Sequence, residues 1–493
     1  MTMREPVVGN VVAVLDQAAA RHGARPAVRD ATGRWTWAEL DQASQRVARA
    51  LGARGIGPGS RVLSIAPPGR DFAALLFGTM RAGASLIPAR PDASAFELDH
   101  IRADAAPALV VGSDDRPTPA VPVTTLLRQG SEDRSGPSPA GSLIAGDQEC
   151  LLLYTSGSTG RPKGIVCPHA SVAFAVRAIG ERLGYRPDDV VWNRLPMCFD
   201  YGLYQLFLCA LAGAELVTPP GVMSAAELVA LREAGASVLP IVPTAGDLLA
   251  RLAVRDRRPT NVRLVTNTGA ALTGPLAERV RLAFPDVAVV CMYGMTECKR
   301  ITIADPDEDL AHPATVGRPL PGTRVLVVDA EGRNQPPGAP GEIVAVGPHV
   351  MAGYWNSPQE TARRFRPAPD TGEPAVFTGD RGYLDPDGRL YFLGRDDDVF
   401  KHRGWRMSTL ELETALLDIP DVRAAAALPP DAAGTLTVWA VTSLPADHVR
   451  DALAERLGAA RAPDRCVVLP ELPQTPNGKV DRAALRALRE AAP

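Results

Sequence analysis

Residues 150–164 read CLLLYTSGSTGRPKG, and this run decides how the rest of the chain is read. Its first five residues form an apolar strand pattern. They lead into a loop with glycines at 157, 160 and 164, where the missing Cβ lets backbone come close to a ligand. Backbone N–H groups, the hydroxyls of Thr155, Ser156, Ser158 and Thr159, and the Lys163 ammonium together suit a polyphosphate. The run is not a P-loop. That pattern needs Gly-Lys-Ser/Thr, and here Lys163 stands between Pro162 and Gly164. A helix is expected directly after the loop, as a strand is before it.

Outward from this loop the chain alternates between helical and strand patterns. Upstream, 35–56 carries apolar residues at helical spacing, and RVLSIAP (61–67) and FAALLFGTMRAGASLIP (72–88) read as strand, helix, strand. Residues 111–146, rich in Ser, Asp, Pro and Gly, read as a surface connection. Downstream to about 302 the rhythm resumes with VVWNRLP, ELVTPP, SVLPIVP, VRLVTNTG and VAVVCMYG. From about 322 to 394 short β runs with Gly, Pro and Asp turns predict a small antiparallel subdomain. Beyond 395 the texture is α+β, ending in an Arg/Ala helix. The expectation is an α/β protein: a large N-terminal domain (1–394) of mixed and parallel sheets with helices, containing that β-rich subdomain, followed by a small α+β C-terminal domain (395–493).

Composition narrows the function classes. Among 493 residues, 53 Lys+Arg face 56 Asp+Glu, a formal charge of −3. Nucleic-acid binding wants a basic excess, so no nucleic-acid partner is expected. No run of eighteen apolar residues occurs, so no membrane span is expected. The first 23 residues read as an amphipathic helix rather than a signal peptide, which makes the expected localisation cytoplasmic. Seven cysteines without a CxxC pair, most in apolar surroundings, read as buried free thiols. Only four of the 53 basic residues are lysines: Lys163, Lys299, Lys401 and Lys479. Where arginine has taken nearly every surface charge, a remaining lysine marks a place where a planar guanidinium will not serve.

The loop has company. YGMTE (293–297), GEIVAVGPHVMAGYWNSPQET (341–361), TGDRGYLDPDGRLYFLGR (378–395), DDVFKHRGWRM (397–407) and PQTPNGKVDR (473–482) follow in order. With YTSGSTGRPKG, they make the whole chain resemble the adenylate-forming superfamily of acyl-CoA synthetases, adenylation domains of nonribosomal peptide synthetases and luciferases. The resemblance implies a reaction in two steps. A carboxylate and ATP give an acyl adenylate and pyrophosphate, and a thiol then takes the acyl group. It implies that the loop from Thr155 through Ser156, Gly157, Ser158 and Thr159 to Gly160 holds phosphates with Lys163, and that Gly269 and Gly294 also border the nucleotide. Thr296 would touch the α-phosphate and Glu297 would hold Mg²⁺. Tyr293 would stack on adenine, while Asp380 and Arg395 would reach the ribose. Lys479 would bridge the attacking carboxylate and the α-phosphate. Asp397 would be a hinge about which the C-terminal domain moves, with Lys401 serving the thiol-transfer state.

The substrate is read from LPMCFDYGLYQLFLCALAGAEL (195–216). The resemblance associates Phe199-Asp200 with amino-acid activation, the aspartate binding the substrate ammonium. A carboxylate in an apolar run is costly to bury unpaired, and a cationic ligand would supply its partner. The other reading is a helix N-cap. By alignment the pocket would include Tyr201, Tyr204, Thr268, Met292, Arg300 and Ile301, narrow enough for a small amino acid. After YGMTE comes Cys298-Lys299-Arg300, a basic pair also found in stand-alone enzymes that activate β-amino acids for macrolactams. There Arg300 would hold a substrate carboxylate with help from Thr268. Alternatively the pair points at phosphate, backbone carbonyls or an acid such as Asp305. No carrier sequence follows Lys479, so the expected acceptor is a separate acyl carrier protein, or else coenzyme A.

Overall fold

The computed structural model describes residues 9–112, 120–132, 144–156, 162–221, 223–256, 258–395, 398–403, 405–431, 433–475 and 479–491. Two large sheets hold most of the chain. In one, six strands run parallel in the order Ala288–Tyr293, Leu264–Asn267, Val238–Ile241, Val190–Trp192, Glu215–Val217 and Pro26–Asp30. Antiparallel strands extend it at both edges, Thr302–Ile303 and Arg318–Pro319 on one side and Gly33–Thr36 on the other. The second sheet has seven strands. Its parallel part runs from Val121–Pro122 through Leu109–Gly112, Arg61–Ser64 and Ser85–Pro88 to Glu149–Ser156. Parallel strands buried on both faces read as apolar runs, which is how these segments look in the sequence.

Helices fill the space between the two sheets. Trp37–Gly52 starts at a capping box in which the Thr36 hydroxyl accepts from the Glu39 amide and the Glu39 carboxylate accepts from the Thr36 amide. Asp200–Ala212 is apolar almost all round. Eleven of its thirteen residues are buried, as such a helix requires. It carries Asp200 on its first turn, so the burial of this helix fixes that carboxylate in the interior.

Two sequence expectations are corrected. The glycine-rich run does not pass from strand to helix. Strand Glu149–Ser156 pairs antiparallel with Pro162–Pro168, joining Thr155 to Lys163 in register, and the helix His169–Leu183 begins only after that second strand. The strands that flank the loop therefore pair as a β-hairpin. Within 111–146 the chain also forms strand Val121–Pro122 and helix Val123–Glu132, whose Val123 and Leu126 are buried against the main core.

The small antiparallel sheet expected after 322 is present. It joins Arg324–Val328, Gly341–Val346, Pro374–Leu384 and Phe365–Pro367, with Leu390–Arg395 against Pro374–Leu384. Beyond it come a two-stranded ribbon (Val399–His402 with Trp405–Ser408) and a three-stranded sheet (Ala424–Leu428, Thr437–Val441, Arg465–Val468). This last part has apolar cores of its own, one around Leu412, Leu416, Val438 and Leu453 and one around Trp439 and Leu485. Among the described residues no helix is long and apolar enough to cross a membrane.

Candidate active site

Strands Val238–Ile241, Leu264–Asn267 and Ala288–Tyr293 end on one side of the parallel sheet, where ligands of open α/β sheets bind. The segments that follow them carry the residues singled out from the sequence. Thr268 and Gly269 continue the middle strand, and Gly269 takes a left-handed φ of +86°. A Cβ on Gly269 would lie 3.4 Å from Lys479 Cε and 3.7 Å from Phe199 Cζ. The lysine from the far end of the chain thus meets the start of the Asp200 helix, with its ammonium 5.4 Å from the Phe199 ring centroid. Lys479 keeps part of its surface in solvent. Desolvation at its ammonium nevertheless lowers its pKa, and the Asp200 carboxylate works in the opposite direction.

The turn after Ala288–Tyr293 is tightly built. A Cβ on Gly294 would meet the Lys299 carbonyl oxygen at 2.1 Å, so only glycine fits there. Lys299 has a left-handed φ of +68° and is fully buried. Its ammonium donates to the Thr296 carbonyl at 3.0 Å and to Cys167 Sγ at 3.4 Å, 5.7 Å from the Tyr204 ring centroid. Ile301 returns to the strand, its amide donating to the Tyr293 carbonyl. The turn carries Thr296 and Glu297 on one side and Arg300 on the other.

Arg300 answers the question left open about the basic pair. Its Nη1 reaches Asp200 Oδ2 at 3.3 Å and the Lys299 carbonyl at 2.8 Å, and its guanidinium lies 4.7 Å from the Tyr201 ring centroid. Arg300 and Asp200 are 5% and 4% exposed. The buried carboxylate therefore already has a cation from its own chain. Asp200 is the first residue of its helix; the cap position belongs to Phe199. Asp305, the other acid considered for this pair, bonds Arg182 and Arg318 instead. Around the pair, the Tyr201 hydroxyl is held by Thr266 at 2.7 Å, and Thr268, Met292 and Ile301 are buried. The Tyr204 hydroxyl is buried without a hydrogen-bond partner among the described residues.

The Tyr293 hydroxyl donates to Asp380 Oδ2 at 2.6 Å, and its ring tilts against Phe392 at 5.3 Å. Arg395 lies 3.3 Å from Asp380 Oδ1. Burial pushes the Asp380 carboxyl up, while Arg395 and the Tyr293 hydroxyl pull it back. The Tyr354 hydroxyl donates to Glu297 Oε1 at 2.6 Å, and burial followed by the Glu297 charge raises its pKa. Lys163 pairs with Glu360 at 3.1 Å.

Tyr354 and Glu360 lie in a motif read from the sequence, but their roles toward Glu297 and Lys163 were not. The signal that places them is topological: strand Gly353–Tyr354 pairs with Pro162–Pro168 beside the hairpin loop. The side chain of Ser156, residues Gly157, Ser158, Thr159 and Gly160, and Asp397 lie outside the described residues, as does the side chain of Lys401, whose backbone is in the ribbon. All seven cysteines are free, five of them buried; burial pushes Cys291 up to about 12.

The chain is similar to known proteins over most of its length. The family described as AMP-binding enzyme matches residues 15–355, and the AMP-binding enzyme C-terminal domain matches 411–479. The AMB antimetabolite synthetase AmbB of Pseudomonas aeruginosa is 35% identical over 94% of this chain and 37% of its own length. The phosphinothricin tripeptide synthetase PhsC of Streptomyces viridochromogenes is 34% identical over 96% of this chain and 44% of its own. The chain spans less than half the length of the curated relatives it matches. Among solved structures, VinN is similar with a TM-score of 0.72 and 37% identity over 78% of this chain and 98% of that one; its complex with L-aspartate gives 0.71 and 36% over the same shares.

Proposed function

The chain belongs to the AMP-binding enzyme family, and from that premise we propose that it activates a small amino acid with ATP and passes the aminoacyl group to the phosphopantetheine thiol of a separate carrier protein. The observation that carries the reading is the buried Asp200–Arg300 pair. Separating a buried pair without replacing either partner is strongly unfavourable. A fatty or aryl acid, beyond the carboxylate that reacts, offers neither charge. An amino acid with a second carboxylate offers both: its ammonium for Asp200 and that carboxylate for Arg300. Such a ligand exchanges one neutral ion pair for two. The VinN complex with L-aspartate, an amino acid of this kind, supports the choice.

The same reading assigns the remaining groups. ATP would lie with its ribose toward Asp380 and Arg395, its adenine near Tyr293, and its phosphates toward Thr155, Lys163 and Thr296. Glu360 would release Lys163 to the phosphates. Mg²⁺ fits Glu297: one oxygen of this partly exposed carboxylate accepts from Tyr354, and the described residues hold no group of three or more such ligands. A single carboxylate with phosphate oxygens and waters is this ion's habit, and when bound it would offset triphosphate charge. As the substrate carboxylate attacks the α-phosphate, negative charge grows between them, and the Lys479 ammonium would stabilise it. Residues 1–394 would form the core and 395–493 a body moving about Asp397, carrying Lys479 in for the first step and the ribbon with Lys401 in for the second. The separate apolar cores beyond 398 support that division.

The test is an ATP–pyrophosphate exchange screen over α- and β-amino acids and small acids, followed by loading assays with carrier protein and with coenzyme A. The strongest exchange is expected with an amino acid bearing a second carboxylate. Exchange with simple acids alone would overturn the reading. Arg300→Ala should move the preference away from dicarboxylic amino acids while the KM for ATP holds.

A further inference from the structure

Lys479 stands on a loop whose described ends are tied together. Gln474 and Val480 form an antiparallel bridge, the Thr475 amide donates to the Lys479 carbonyl at 2.7 Å, and the Asp481 amide donates to the Pro473 carbonyl at 2.8 Å. The Asp481 carboxylate accepts from the amides of Ala483 and Ala484, opening helix Arg482–Ala491. These contacts shape the loop, and Leu472 and Val480 seat its ends on the Trp439 core, but among the described residues none of them ties it to the segment beside position 397.

Arg482, three residues after Lys479, supplies the anchor. Its Nη1 reaches Asp398 Oδ1 at 2.5 Å and Thr409 Oγ1 at 3.2 Å, and its Nη2 reaches Glu413 Oε1 at 3.1 Å. Asp398 directly precedes the ribbon strand Val399–His402. Thr409 and Glu413 belong to helix Thr409–Leu417, where Glu413 also accepts from the Ala427 amide at 3.0 Å. One planar fork thus joins the lysine loop to the segment next to position 397, to a helix and, through Glu413, to a sheet strand. Lysine, with one point charge, cannot span these partners. Thr409 is buried, Asp398 and Glu413 are only partly exposed, and burial pushes Glu413 up to about 7 against the pull of Arg482. Without the guanidinium two carboxylates would face each other.

We propose that Arg482 is a positioning residue that makes the Lys479 loop move as one body with the segment beside Asp397, so that the movement bringing the C-terminal domain into the cleft delivers the lysine to a fixed place. This deepens, and rests on, the adenylation reading. Misplacing a reacting group by about an ångström costs on the order of 10²-fold in rate. Arg482→Met should lower kcat of pyrophosphate exchange by roughly 10- to 100-fold with both KM values within about twofold. Arg482→Lys should recover part of it. Thiol transfer from a synthetic aminoacyl adenylate, which does not need Lys479, should stay within about threefold. In a Lys479→Met background, Arg482→Met should cause no further fall.

A second arm needs no substrate. Amide hydrogen exchange of the full chain should rise about fivefold or more in 473–481 and 398–403 of Arg482→Met and remain unchanged elsewhere. Unchanged exchange there, a rise across the whole molecule, equal losses in both half-reactions, or full additivity with Lys479→Met would each overturn the proposal. If the wild-type protein exchanges pyrophosphate with no acid at all, the adenylation reading fails, and the hydrogen-exchange arm alone decides the clamp.

Discussion

The two sides of the proposed site, one read as the nucleotide side and the other as the amino-acid side, treat charge differently. On the nucleotide side each of the two ion pairs includes a partner open to solvent, while the Tyr293–Asp380 hydrogen bond is buried. The Arg395 side chain beside Asp380 is 67% exposed, and Glu360 beside Lys163 is 33% exposed. Exposed pairs are worth little, so these can part when phosphates and a cation arrive. On the amino-acid side Arg300 and Asp200 are shut away together and can part only for a ligand that replaces both. The difference teaches that the first region is built to exchange partners for a generic ligand, and the second to refuse most ligands.

The largest test of that contrast is Asp200→Asn. Leaving Arg300 buried without its counter-charge should cost about 3–5 kcal/mol of folding stability and abolish amino-acid activation. Asp380→Asn, whose cation is exposed, should cost under about 1 kcal/mol in the same denaturant titration. Equal costs would erase the distinction between the two regions.

Lys479→Met comes next. It should lower kcat for adenylation by roughly 10²–10³-fold and leave binding of ATP unchanged in a direct titration. A rise in the Kd for ATP with kcat preserved would move this lysine from the reacting atoms to ground-state binding.

Acid should distinguish the regions as well. His169 follows the hairpin and His349 lies in the motif that carries Tyr354. Both are fully buried, neither ring has a hydrogen-bond partner among the described residues, and burial lowers both to about 4. The unfolded chain protonates these rings first, near 6.5. The stability they confer is therefore complete above about pH 6.5 and is lost as pH falls toward 4, roughly 3 kcal/mol for each at most. Unfolding measured between pH 7 and pH 4 should show this fall, and His349→Leu should reduce its slope. A slope unaltered in that variant would locate the acid sensitivity elsewhere.

After these comes Tyr354→Phe. Removing one hydrogen bond to the Glu297 carboxylate should cost about 1.5–3 kcal/mol at most, seen as a weaker dependence of activity on Mg²⁺. No change in the Mg²⁺ titration would detach Tyr354 from that carboxylate's function.

Legibility in the sequence follows the same line. The residues proposed for the nucleotide lie in short continuous motifs, so Tyr293, Glu297, Asp380, Arg395 and Lys479 could each be singled out before any fold was known; in the structure Tyr293 and Arg395 meet Asp380, and the charges of Asp380 and Arg395 act on Lys479. What lies between residues distant in sequence was hidden. Asp200 and Arg300 were each singled out, yet their pairing spans a hundred positions and depends on where a buried helix meets a turn. The hairpin was missed because PKGIVCP begins and ends in proline and offers only three apolar residues in a row, too short to mark a strand by periodicity. The helix Val123–Glu132 was missed because Thr124, Thr125 and Gly130 read as connection, while its burial rests on Val123 and Leu126.

The turn from Gly294 to Arg300 has a consequence for how such a protein changes its substrate over generations. One seven-residue stretch bears groups for both halves of the cleft, and its backbone is so close to itself that position 294 admits only glycine. On the proposed reading, inserting or deleting a residue here would disturb nucleotide chemistry together with the preference for one amino acid. Descendants with new preferences are thus confined to exchanging side chains at the margins of the turn and on the facing helix, above all at positions 200, 268 and 300, while the turn itself is inherited whole.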